Sequence, residues 1–254
     1  MRSKYCSTHV VLGVKIFLYF TLASRNRVVL AFRSSCIQGL AHRYTGTPLL
    51  AERQSWNPFR FITQSSKFIT LPFSQRNDIT VQPGDVLWVP SISSNSVNFG
   101  PLDDVVMGGV SSSSFDGVTG IWDGTVTDAN NGGFIGIRSY PGVRWNMSSC
   151  RGLQIKFKSQ YDNRIKIGLR DTIDFNGVVW NASVNVNKAQ VVRVSFSSLI
   201  PNKFANRIDY DIDFNPSSVI GIQFVYSKFE YDGDLNPKFR VGDFRLQILE
   251  VMAF

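Results

Sequence analysis

From Val86 onward, apolar and polar residues alternate with a period of two. Leu153, Ile155 and Phe157 alternate with Gln154, Lys156 and Lys158, and Ile165, Ile167 and Leu169 with Arg164, Lys166 and Arg170. Such alternation sets one face of a strand on a core and the other in water. It predicts further strands over 120–127, 133–139, 178–186, 191–197, 219–226 and 244–251. Turn signals separate them: Asn131-Gly132, Tyr161-Asp162-Asn163, Asn176-Gly177, Asn187-Lys188, Asn215-Pro216 and Asp232-Gly233. No stretch of this region sustains a 3.6-residue period with a cap at each end. The pattern predicts an all-β, antiparallel β-sandwich over residues 86–254. Residues 52–85 carry Trp56, Phe59, Phe61, Phe68 and Phe73 without a steady period, and read as an arm along the sandwich or as a linker.

Charge is distributed unevenly. The chain has a net charge of +8, but Arg2, Lys4, Lys15, Arg25, Arg27, Arg33 and Arg43 all precede Glu52, the first acid. Without those seven, 20 of the 27 basic residues face all 19 acids. A nearly neutral body lacks the field that drives binding to a phosphate backbone, so no nucleic-acid partner is expected. Both histidines, His9 and His42, and two of the three cysteines, Cys6 and Cys36, also lie in the N-terminal part, leaving Cys150 in the body. That excludes a Ser-His-Asp triad, a Cys-His pair and a histidine-held metal from the body. No catalytic residue, metal or cofactor is therefore expected, although a carboxylate-pair hydrolase needs only Asp and Glu. Asp209, Asp211 and Asp213 alternate along 208–214 and read as a solvated edge strand with Ile208, Tyr210, Ile212 and Phe214 inward; calcium ligation is the less economical account.

Residues 1–51 read as an organelle-targeting leader. Arg2 and Lys4 precede an apolar run, Val10 to Ala23, interrupted by Lys15 and shorter than the roughly 20 residues of a membrane span. A second apolar patch, 28–32, follows; Val29 and Ala31 satisfy the small-residue rule for cleavage before Phe32, so the signal-like run covers 10–31, and a basic, hydroxyl-rich, acid-free stretch comes after it. The order resembles the two-part presequences of algae with complex plastids, in which a transit peptide beginning with phenylalanine follows an ER signal. A plastid is expected, with the mitochondrion as the alternative.

Two glycine pairs carry the most specific signal. Asp103-Asp104-Val105-Val106-Met107-Gly108-Gly109-Val110-Ser111 is followed by Asn130-Asn131-Gly132-Gly133-Phe134. Each pair is explained by a tight turn, with Asp104 or Ser111 capping free N–H groups and Asn131-Gly132 as a two-residue hairpin. Each also reads as a shaped surface for a client protein or a ligand. The candidate binding residues are Asp103, Asp104, Met107, Gly108, Gly109, Ser111, Asn131, Gly132, Gly133, Phe134 and Arg138. Arg138, Arg170 and Trp180 could line a concave sheet face, although a surface ion-pair cluster around Arg170, Asp171 and Asp174 and a core position for Trp180 are simpler.

These motifs, with Phe115, Arg138, a 191–196 strand, Pro201, Phe204, Ile220-Gly221-Ile222-Gln223-Phe224, Phe239 and a closing strand over 244–251, resemble the complex I intermediate-associated protein 30 domain. The resemblance runs from about Val86 to the C-terminus. It implies a jelly-roll sandwich of the galactose-binding-domain-like type. It also implies a non-enzymatic assembly or biogenesis factor, chaperone-like, for an organellar electron-transfer complex, either mitochondrial complex I or a plastid photosystem. The partners so implied are subunits or assembly intermediates of such a complex, with peripheral membrane association. Family members commonly carry Asn where Asp103 stands. A carbohydrate-binding module is the alternative function, by analogy of fold.

Overall fold

The structure, a computed structural model, describes residues 58–68, 77–91 and 97–254. The leader, Trp56 and Phe73 lie outside the described residues. Strands dominate. A seven-stranded sheet runs in the order β13 (Asn206–Arg207), β12 (Ile200–Lys203), β10 (Val179–Val186), β9 (Asn163–Arg170), β14 (Gly221–Ser227), β6 (Phe134–Ser139) and β3 (Phe99–Pro101). A six-stranded sheet runs β11 (Ala189–Ser195), β8 (Gly152–Ser159), β15 (Gly242–Ala253), β5 (Ile121–Val126) and β4 (Ser112–Asp116), with β2 (Val86–Trp88) added to β15. All pairings in both sheets are antiparallel. A separate parallel pair joins β1 (Asn77–Thr80) to β7 (Val143–Asn146).

The inward positions are those of the sequence alternation. Leu153, Ile155 and Phe157 of β8 face Ile165, Ile167 and Leu169 of β9 across a core that also holds Trp122, Ile135, Ile137, Phe224 and Leu246. Aromatic pairs such as Tyr226–Phe244, with ring centroids 4.7 Å apart, and Phe157–Phe224 at 6.1 Å tie the layers together. Trp180 belongs to this core. The fold is the expected all-β, antiparallel β-sandwich.

Three local features differ from the expectation. Pro58–Ser66 forms a helix, α1, with Gln64 and Ser65 buried and Phe59, Ile62, Thr63 and Ser66 exposed on the opposite side. Nine residues are too few to display a sustained period, and no acid marks the first turn. Residues 208–214 form an extended loop rather than a strand, with Asp209, Asp211 and Asp213 exposed, Tyr210 exposed beside them, and Ile212 and Phe214 packed on the core. Most of the polar face of β9 does not meet water. Lys166 is 5% exposed and Arg170 6%, because the loop after β9 and the segment around Phe229–Tyr231 lie over them. Arg170 is thus a buried residue and not part of a surface ion-pair cluster.

Candidate functional site

Both glycine-rich segments change sheets. Residues between β3 and β4 pass from the seven-stranded to the six-stranded sheet, and those between β5 and β6 return. The segments lie side by side, and Asp103 and Asp104 hold them there. Asp104 begins a single 3-10 turn, Asp104–Met107. Its Oδ1 accepts the Ser111 N–H at 2.9 Å; its Oδ2 accepts the Ser111 hydroxyl at 2.6 Å, the Gly133 N–H at 2.8 Å and the Phe134 N–H at 3.4 Å. Asp103 Oδ1 accepts the Ser113 hydroxyl at 2.6 Å and the Gly136 N–H at 3.4 Å, and its Oδ2 accepts the Ser113 N–H at 2.9 Å and Gln64 Nε2 at 3.1 Å. Asp103 therefore spans β4 of one sheet and β6 of the other, and fastens α1 to both.

Each glycine pair has a division of labour. Gly108 (φ +94°) and Gly133 (φ +125°) take the left-handed backbone that glycine alone adopts freely. Gly109 and Gly132 instead make room, since a Cβ on either would overlap the Asp104 carboxylate. Gly109, Gly132 and Gly133 line one carboxylate pocket, and Gly108 supplies the turn beside it. The left-handed residues before Gly132 are Asn130 and Asn131, at φ 56° and 59°, and the segment joins two different sheets. Asn131-Gly132 is accordingly not a hairpin turn: the tie to Asp104 sets the path in place of a strand-to-strand register.

Of the candidate residues, Asp103, Asp104 and Ser111 are at most 1% exposed, and Gly109 and Gly133 are also buried. Gly108, Gly132 and Phe134 are half-buried, while Asn131 is exposed and Met107 is 69% exposed. The structure gathers ten of the eleven candidates into this one cluster (Arg138 is the exception), and the acids shape its surface rather than form it. Burial pushes the Asp103 carboxyl above the usual carboxylate range, against the pull of hydrogen bonds from Ser113, Gln64 and Gly136. Acids committed to four internal donors each are not free to act as base, nucleophile or metal ligand. Among the described residues no group of three metal-ligating side chains gathers, and no helix is long and apolar enough to cross a membrane.

Arg138 stands in a second cluster, on the face of β6 turned away from the core. Its Nε donates to Gln223 Oε1 at 3.0 Å, and its guanidinium lies 5.7 Å from the Phe68 ring centroid and 5.4 Å from that of Phe175. The sequence did not point to Gln64, Phe68 or Phe175 as neighbours of the motif. Gln64 lies 39 positions from Asp103, and no local pattern announces such a contact.

Residues 91–248 match the Complex I intermediate-associated protein 30 (CIA30) family. The chain belongs to that family. The matched span contains both glycine pairs and every strand from β3 to β14, so the Asp103–Asp104 cluster, apart from the Gln64 donor of α1, lies inside the CIA30 region. A search of the curated proteins found no match. Among solved structures, the Family 11 Carbohydrate-Binding Module of cellulosomal cellulase Lic26A-Cel5E of Clostridium thermocellum is 15% identical, with a TM-score of 0.44, covering 68% of this chain and 96% of that one. A Family 29 carbohydrate-binding module variant is 14% identical, with a TM-score of 0.32 over 67% of this chain and 90% of its own. An agarase matches at 11% identity and a TM-score of 0.38, over 66% of this chain and 26% of its own. These likenesses assign no ligand to the CIA30 region described here.

Proposed function

We propose that the protein is a non-enzymatic, chaperone-like assembly factor that holds an unassembled subunit of an organellar membrane electron-transfer complex. The client surface is an apolar ledge beside the carboxylate pocket. Met107 (69% exposed) stands on the 3-10 turn, and α1, which packs against that turn, presents Phe59 and Ile62 at 79% and 59% exposure. Large apolar side chains exposed together on a rigid support mark an interaction surface. This ledge is the observation that carries the reading, and membership of a family described by its association with complex I intermediates supports it. Binding an intermediate in preference to the finished complex would stabilise that intermediate by mass action and release it on completion.

The client follows from the compartment. The two-part character of residues 1–51 favours a plastid and photosystem intermediates; a mitochondrial address would favour complex I. Fusing the first 60 or so residues to a fluorescent protein in the native host distinguishes the two. Co-purification from crosslinked organelles should then recover partial modules of the complex. Met107→Glu combined with Phe59→Glu should abolish that recovery while leaving the fold intact. Recovery of mature complexes alone, or equal recovery with the double variant, would refute the proposal.

A further inference from the structure

The outward face of the seven-stranded sheet carries a buried polar layer. Strand register aligns Gly100, Arg138, Gln223, Gly168 and Asn181 in one row across five strands, and sets Arg170 opposite Gly221 two residues along β14. Arg138 is 7% exposed and Arg170 6%. Arg138 uses Nε on Gln223, and Arg170 uses Nη2 on the Asp174 carbonyl. Nη1 of Arg138 and Nε of Arg170 then have no hydrogen-bond partner among the described residues, and neither does Oδ1 of Asn181. Neither guanidinium enters an ion pair among the described residues. Burial, and then the charge of nearby Arg170, push the Arg138 guanidinium down to about 9.

Two neighbouring buried cations with open donors are costly, because each unsatisfied buried donor forfeits the hydrogen bonds it made to water. The rings of Phe68 and Phe175 lie within cation–π range of Arg138 and recover part of that cost. Ring faces leave the in-plane N–H groups unanswered. The complement of such donors is a planar anion that accepts in the guanidinium plane, which is the geometry of a carboxylate. Asp174 and Asp171 add negative field at Arg170, and this disfavours a dianionic phosphate.

We propose that Arg138 and Arg170 form a carboxylate-binding site on the outward face of the seven-stranded sheet, covered by Phe175. Phe175 sits half-buried in the loop between β9 and β10, whose turn bonds, Gly177 N–H to the Asp174 carbonyl and Asn176 N–H to Asp174 Oδ1, are internal to the loop. The loop is tied to the site through Arg170 itself, so an arriving carboxylate competes for the group that holds the cover down. The site is separate from the Met107 ledge and stands or falls independently of the client proposed there.

The test follows the Nε–Hε resonances of Arg138 and Arg170 in the full chain, titrated with sodium acetate against sodium chloride at matched ionic strength. A second arm uses an acetylated, amidated Gly-Glu-Gly peptide, and a third inorganic phosphate. The expected result is a saturable shift of both resonances with acetate or with the peptide, and apparent affinity weakened at least about tenfold in both Arg138→Gln and Arg170→Gln. Response to acetate assigns the site to small carboxylates; response to the peptide alone assigns it to acidic side chains of a protein. Shifts no larger than with chloride, equal binding by both variants, or phosphate binding as tightly as carboxylate would overturn the proposal.

Discussion

Removing the Asp104 carboxylate should make Gly109 replaceable. In the native chain, a Cβ at Gly109 overlaps the Asp104 carboxyl group, so Gly109→Ala must push the carboxylate off its donors. Overpacking of that kind costs about 1–3 kcal/mol. Asp104→Ala exposes no new surface but strands the N–H groups of Ser111, Gly133 and Phe134. Each buried orphan costs about 1–3 kcal/mol, and relief from burying the charge offsets part of this, giving a net loss of about 3–5 kcal/mol. For a domain of this size that corresponds to a fall in Tm on the order of 10 °C. In the Asp104→Ala background the same Gly109→Ala change meets no carboxylate and should cost nothing, or stabilise by about 0.4–1 kcal/mol through the unfolded chain. Urea unfolding of the wild type, both single variants and the double variant closes the cycle, with an expected coupling of about 2–3 kcal/mol. Additivity within about 0.5 kcal/mol would refute the pocket as the reason for the glycine.

Asp103→Asn should be milder than Asp104→Asn, with differences of about 1 against about 3 kcal/mol in denaturant unfolding. Two of the Asp103 donors, the Gln64 amide and the Ser113 hydroxyl, can reorient, whereas three of the Asp104 donors are backbone; equal losses would contradict this. The raised Asp103 pKa has a definite sign: its stabilising contribution is full below the ordinary carboxylate pKa and declines as pH rises through the higher folded value. Stability of the wild type relative to Asp103→Asn should therefore decrease with pH across that window and level off above it, and an increase would count against the assignment. Gly108→Ala, with open space around it but φ +94°, should cost only backbone strain of about 1–2 kcal/mol, and a loss matching Asp104→Ala would show that it has another role. Met107→Glu should change stability by less than about 0.5 kcal/mol in the same assay, since the side chain is 69% exposed; a larger loss would place Met107 in a structural role.

The strands were legible because a sandwich strand sets apolar side chains on the core at every second residue, as Leu153, Ile155 and Phe157 of β8 and Ile165, Ile167 and Leu169 of β9 do. The glycine pairs were legible as a motif, but their partition was not. Nothing local says that Gly109 and Gly132 serve the same carboxylate, because the contact joins segments more than 20 residues apart. Alternation also misled on β9. Arg164, Lys166 and Arg170 read as a solvated face, yet the loops over the sheet bury two of the three, and loop placement leaves no periodic trace. Helix α1 escaped for the related reason that its ordering contact, Gln64 on Asp103, is tertiary.

The paired sheet crossings also bear on the order in which the molecule assembles. Strands β3 to β6, both crossings and every Asp104 bond fall within residues 99–139, so they can close without waiting for the rest of the chain. By contrast, β2 and the second edge of β5 must await β15, more than 100 residues later. Loop-closure entropy then makes the Asp104 latch an early event and the insertion of β15 a late one. In pulse-labelled refolding, the Gly133 amide should gain protection before that of Ile248, and the reverse order would contradict it. A nascent chain would thus display the mature geometry of its family motif while the six-stranded sheet still lacked its central strand.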